Sequence, residues 1–192
     1  MFTVIEHTIE TLEIKQSKFI AHLMPYAQFK EVLEQLKAEH PKARHFVTAF
    51  RYLNEYGQVV EGSSDDGEPK GTSGKPTLAV LKGHALINTA VITVRYFGGT
   101  KLGTGGLVRA YSDATNMVID ASEVVEYIKK ECSVFSCDYS DMGKVDYLLE
   151  QCGISTIEKQ FEPTEVQMNI SAAEEQLESF YEQAKRLVRS RY

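Results

Sequence analysis

Asn88-Thr89-Ala90-Val91-Ile92-Thr93-Val94-Arg95-Tyr96-Phe97-Gly98-Gly99-Thr100-Lys101-Leu102-Gly103-Thr104-Gly105-Gly106-Leu107 is the stretch that decides the fold of this chain. Its first ten residues are a near-continuous β-favouring run, as expected of a strand buried on both faces in the middle of a sheet. Glycines end the run. From Leu107 onward Val108, Tyr111, Ala114, Met117 and Val118 recur at spacings of three and four, which predicts a helix with one apolar face. Strand, glycine-rich turn from Gly98 to Gly106, helix is the expected layout. Alternation along the strand points Tyr96 away from Arg95 and Phe97, which reads Arg95 as a site residue and Phe97 as packing.

The same stretch lies inside an electrostatic anomaly. From Lys70 to Ser112 the chain runs 43 residues with six basic side chains and no Asp or Glu, although its net charge is -6. Just upstream stands an acidic loop, Ser64-Asp65-Asp66-Gly67-Glu68-Pro69, followed by Lys70-Gly71-Thr72-Ser73-Gly74-Lys75-Pro76. Each proline fixes its own φ and restricts the residue before it, so this loop is constrained. Pro76 sits where a helix would begin, continuing to Gly83. Two glycine turns, each with a lysine (Lys75, Lys101), thus precede helices, and helix N-termini suit anions.

Neither turn is a standard nucleotide motif. Gly67 lies seven residues before Gly74, and Lys75 is followed by Pro76, so no Walker loop is present. The second turn does not give G-x-G-x-x-G. The three acids can hold Mg²⁺, pair with Lys70, Lys75 and arginines elsewhere to shape a groove, or cap local N–H groups as loop Asp residues do; residue types leave these open. No nucleophile, base and acid set is recognisable, so catalysis is unsupported, and the residues assign no cofactor and no dedicated metal site.

Working outward, residues 2–12 and 19–24 read as strands and 27–39 as a helix closed by Pro41. Residues 46–53 form a further strand, Gly57 marks a turn, and 58–60 return as its hairpin partner. Beyond about residue 128 the order becomes strand (132–137), helix (141–151), strand (154–161), strand (165–170) and helix (172–188). This β-α-β-β-α order resembles a ferredoxin-like module. The fold class is α+β, with domains at 1–128 and 129–192 and a short linker near 122–131. Residues 1–130 hold fifteen basic and fifteen acidic side chains, whereas 131–192 hold six and twelve, so the whole net charge belongs to the second part.

Composition adds exclusions. The 43% hydrophobic and 25% charged content is that of a globular chain, no apolar run reaches membrane-spanning length, and Met1 to Glu13 lacks a basic leader. A soluble, cytoplasmic protein with no membrane partner is expected. Cys132, Cys137 and Cys152 are read as reduced structural thiols, with neither zinc spacing nor an even disulfide count.

Ala43-Arg44-His45 leading into Ala49-Phe50-Arg51, the loop Ser64 to Pro76, and Val94-Arg95-Tyr96-Phe97-Gly98-Gly99-Thr100-Lys101-Leu102-Gly103 resemble, in this order, the signatures of the IMPACT/YigZ family. The resemblance covers roughly residues 15–125, and Ser73 stands where many members have Ala. It implies a first domain with the ribosomal protein S5 domain 2-like fold and a second similar to the C-terminal domain of elongation factor G. Eukaryotic relatives regulate translation through an additional amino-terminal domain that is missing here; for the bacterial type the resemblance implies association with RNA or the ribosome.

The expected function is that of a non-catalytic RNA- or ribosome-binding protein, with the acidic second domain docking a protein partner. The competing reading is a nucleotide- or phosphate-binding enzyme that uses the same glycine turns and holds Mg²⁺ on the acids. The candidate binding residues are Asp65, Asp66, Glu68, Lys70, Gly71, Thr72, Gly74, Lys75 and Pro76 on the first turn and Arg95, Gly98, Gly99, Lys101 and Gly103 on the second. Arg44, His45, Arg51 and Arg109 flank them.

Overall fold

In the computed structural model, which describes residues 1–190, the chain divides into two compact units, Met1–Tyr127 and Ile128–Tyr192. In the first, the run that opened the sequence is strand β6 (Thr89–Tyr96), and it is the middle of a five-stranded sheet. Its neighbours are β3 (Ser17–Pro25) and β4 (His45–Leu53), with β2 (Thr8–Ile14) and β5 (Val59–Ser64) at the edges and every pairing antiparallel. Seven of the eight β6 residues are buried, as a strand covered on both faces requires.

The pleat sorts the side chains into two cores. Phe19, Ala21, Leu23, Val47, Ala49 and Val91 meet Leu81 of α2 (Gly74–Gly83) and Leu107, Ala110, Tyr111, Ala114 and Val118 of α3 (Gly103–Asp120). Met24, Phe46, Ala90, Ile92 and Val94 meet Val32 and Leu36 of α1 (Phe29–Glu39) on the other face. Fully burying one such aliphatic side chain contributes about 1.5–3 kcal/mol. A short ribbon, β1 (Phe2–Val4) with β7 (Val124–Glu126), completes the unit.

The second unit runs β8 (Glu131–Cys137), α4 (Met142–Gln151), β9 (Thr156–Phe161), β10 (Val166–Ala172), α5 (Glu174–Ala184) and β11 (Val188–Ser190). Its antiparallel sheet has the order β11-β8-β10-β9. Val166, Met168, Ile170 and Ala172 alternate inward along β10 and pack with Phe135, Val145, Leu149, Leu177 and Phe180. The three cysteines are free thiols, Cys137 among them in this core.

Several expected boundaries move. The strand expected at 2–12 is broken at residues 5–7, because its two halves pair in different sheets. The helix expected to reach Val188 stops at Ala184, since Val188 instead pairs with Cys137 as the start of β11. The interval 122–131 carries β7 as well as connecting the units. Most consequential, α3 begins at Gly103, four residues before the apolar stripe made it visible, so Gly103, Gly105 and Gly106 are helical and the turn shrinks to residues 97–102. Among the described residues no helix is long and apolar enough to cross a membrane.

Candidate functional site

The first turn is built around one carboxylate. Asp65 Oδ2 accepts the Gly71 N–H at 2.7 Å, and its Oδ1 accepts the Ser73 and Gly74 N–H groups at 3.1 and 2.8 Å and the Ser73 hydroxyl at 2.7 Å. Gly74 opens α2, so Asp65 caps that helix from nine residues upstream. Burial raises the Asp65 pKa, but the hydrogen bonds from Gly71, Ser73 and Gly74 outweigh it and hold the carboxyl below its ordinary value. A side chain on Gly74 would meet the Ser64 backbone at 2.8 Å, so this glycine permits strand and helix to touch.

The other two acids are engaged by the chain as well. Asp66, in the left-handed region at φ 43°, accepts the Phe46 N–H at 2.6 Å, while its carbonyl takes the proton of His45 Nδ1 at 2.8 Å. Glu68 is buried, and its Oε1 receives both the Arg95 guanidinium, through Nη1, and the Tyr111 hydroxyl at 2.8 Å. Burial, reinforced by the Glu68 charge, pushes the Tyr111 hydroxyl far above its ordinary pKa, so it remains a donor. Sheet register explains the convergence: Arg95 lies opposite Phe19 on one side and His45 on the other, on the face that carries α2 and α3.

The Mg²⁺ reading of this loop is therefore corrected. Its carboxylates are committed to the chain's own N–H groups and to Arg95, and among the described residues no group of three or more His, Cys, Asp or Glu is placed to hold a metal ion. The pairing with Lys70 and Lys75 is replaced by the pairing of Glu68 with Arg95, and the capping of local N–H groups falls to Asp65.

The second turn is bare by contrast. Gly98 donates its N–H to Ser17 Oγ at 3.1 Å, and a side chain there would lie 2.0 Å from the Gln16 backbone, which explains the glycine by close approach. Leu102 provides no side-chain cap for α3, and no acid stands in its first turn. Between this helix end and the acidic loop lies a cleft of about 330 Å³, lined among others by Glu68, Arg95, Phe97, Lys101, Thr104 and Leu107. Arg95 is 5% exposed; its Nε is buried without a hydrogen-bond partner among the described residues, and the Phe97 ring lies 5.8 Å from its guanidinium carbon. Leaving a buried donor unmet costs about 1–3 kcal/mol.

Of the expected site residues, the structure gathers Glu68, Arg95, Lys101 and Gly103 at the cleft. Lys70, Lys75, Gly99, Arg44 and Arg109 are exposed but do not line it, and Pro76 is the third residue of α2. Gly71 and Gly74 give their N–H groups to Asp65, and the buried Thr72 hydroxyl donates to the Pro69 carbonyl, so these groups of the turn are engaged within it. His45 ties down the acidic loop. Arg51 belongs elsewhere: it stands six residues from His45 along β4 and bonds Glu61 at 2.8 Å and the Leu86 carbonyl at 2.7 Å.

Phe97 is 52% exposed and not core packing, because the strand ends before it and no element covers it. Tyr111 was missed as well. It reads as one more apolar helix position, but a buried hydroxyl requires a partner, and that requirement was a usable signal.

Fold and site together define a class: a two-unit protein of mixed helices and antiparallel sheets whose first unit carries a small cationic cleft above a buried ion pair. Residues 15–119 match the Impact N-terminal domain and residues 135–189 match DUF1949, a domain of unknown function. The chain belongs to the IMPACT family. An IMPACT family member of Haemophilus influenzae is 35% identical over 175 residues, which is 88% of this chain and 82% of that one. YigZ of Escherichia coli is 38% identical over 143 residues, covering 73% of this chain and 70% of its own. The crystal structure of a hypothetical protein superposes with a TM-score of 0.69 at 29% identity, over 98% of this chain and 94% of its own.

Proposed function

We propose that this protein binds RNA, free or within the ribosome, through the first unit, and that it acts in the regulation of translation in the cytoplasm. The observation that carries the reading is a separation of charge by engagement. Asp65, Asp66 and Glu68 are each engaged by the chain's own N–H groups or by Arg95, Glu68 buried and Asp66 exposed, whereas Arg44, Lys70, Lys75, Lys101 and Arg109 are exposed and form no ion pair among the described residues. An acidic sequence thus acquires a cationic surface of the kind that meets phosphates.

The strand orders support the finer fold reading, an S5 domain 2-like domain at 1–128 and a ferredoxin-like domain at 129–192 similar to that of elongation factor G. The acidic second domain docks a protein partner. Both fold readings are at home in translation machinery, which adds support by analogy.

Fluorescence anisotropy with single-stranded RNA at several salt concentrations tests the proposal. The affinity falls as salt rises, and replacing Lys70, Lys75 and Lys101 by Ala together flattens the slope of log K against log salt by about 2–3. Equal affinity and slope in the triple variant and the parent, at low salt, would overturn the reading.

A further inference from the structure

We propose that the cleft at the N-terminus of α3 is a pocket for one nucleotide unit of a single strand, its phosphate on Arg95 and the first turn of α3 and its base on Phe97. The inference rests on the RNA reading above and adds to it the place where one phosphate and one base are held.

The guanidinium of Arg95 is an unfinished fork. It bonds Glu68 through Nη1, and its buried Nε has no partner. The edge formed by Nε and Nη2 is the one that grips a phosphate or carboxylate with two parallel N–H bonds. Arg95 is among the residues that line the cleft, beside a helix whose first turn has neither a capping side chain nor an acid of its own. Gly103 and Gly105 present open backbone there, with no atom within 4 Å of where a side chain would stand. Arg95, a side chain more than nine-tenths buried with a donor unmet among the described residues, is a separate observation from the helix end, and both border the same small volume.

Charge and shape narrow the ligand. The Glu68 carboxylate is matched by Arg95 and Tyr111 below the cleft, so the excess positive charge at the mouth comes from Lys101 and the α3 terminus. The remaining wall is apolar, with Leu102, Leu107 and the exposed ring of Phe97. A free phosphate has no use for an aromatic wall, whereas a base stacks on one whatever its sequence. A volume of about 330 Å³ is at the small end for ligand pockets and fits one nucleotide-sized group.

The test titrates the isotope-labelled full chain, by nuclear magnetic resonance, with uridine 5′-monophosphate, inorganic phosphate and octauridylate. The nucleotide moves the Arg95 Nε–H and the Gly103 and Thr104 amide signals. Phosphate moves the same signals but binds about tenfold more weakly, the difference being the stacked base. Phe97→Ala, at an exposed position that leaves the core intact, removes this tenfold advantage and leaves phosphate binding unchanged, while Lys101→Ala weakens both ligands severalfold. Binding of octauridylate that moves none of these signals overturns the pocket and leaves the RNA reading standing. Nucleotide binding at these signals without any octauridylate binding supports the pocket and overturns the RNA reading. An unchanged nucleotide affinity in Phe97→Ala removes the base from the proposal and overturns it.

Discussion

The N-termini of α2 and α3 begin alike in sequence, each with glycines and a lysine, and end up as opposites. At α2 the leading N–H groups are occupied by Asp65, an anion the chain supplies to itself. At α3 no side chain takes that place, and Arg95 waits beside it with an unmet donor. One terminus shows what the other lacks. The contrast teaches that a glycine turn before a helix is not by itself a ligand site, since its anion can come from within the chain.

The comparison can be broken hardest at the ion pair that separates the two turns. Glu68→Ala leaves Arg95 buried without its counter-charge, and the expected loss of stability is roughly 3–5 kcal/mol, read from urea denaturation. A loss below about 1 kcal/mol would show that Arg95 relaxes outward instead.

Next comes the cap. Asp65→Ala removes four hydrogen bonds to a carboxylate, and a loss of about 2–4 kcal/mol is expected by the same measurement. The variant should also be stabilised by sulfate more than the parent, because α2 would then present an open end like that of α3. The pH dependence has a fixed sign. The folded pKa of Asp65 lies below its unfolded value, so its stabilisation is present above the unfolded pKa and is lost as pH falls through the folded one. Denaturation curves taken below pH 4 should therefore lose part of the difference between parent and Asp65→Ala. A difference that persists unchanged into strong acid would contradict the cap.

Gly98→Ala tests the second turn. Its side chain would strike the Gln16 backbone, so a loss of about 1–3 kcal/mol is expected in thermal denaturation. Smallest is Lys101→Ala, which should change stability by less than about 0.5 kcal/mol, since the lysine is exposed and makes no ion pair among the described residues. A larger change would mean that the open turn is held by contacts of its own.

Much of this was legible in residue patterns. The run through β6 announced a central strand because a strand covered on both faces has no polar alternation to disguise it. The alternation that separates Arg95 from Tyr96 was readable for the same reason, and the structure puts Tyr96 on the α1 side, where it bonds His40 at 2.9 Å. The start of α3 was hidden, because glycine marks both turns and capped helix ends and Gly103 has no side chain to join a stripe. The role of Asp65 was hidden differently: its partners follow within nine residues, yet only the folded turn brings three N–H groups onto one carboxylate. Arg51 and Arg95 were indistinguishable by type, and the register separated them, setting Arg51 opposite Thr89 and Arg95 opposite His45.

The ribbon of β1 and β7 sets Phe2 opposite Glu126, and the Tyr127 N–H donates to the Met1 carbonyl at 2.9 Å. The first unit is thereby a closed circuit in which entry and exit of the chain share one seam. Joining residues 1 and 127 by a short linker and opening the chain at the exposed Tyr56 hairpin should yield a permuted unit with the same sheet, because covalent order adds little where the ends already meet.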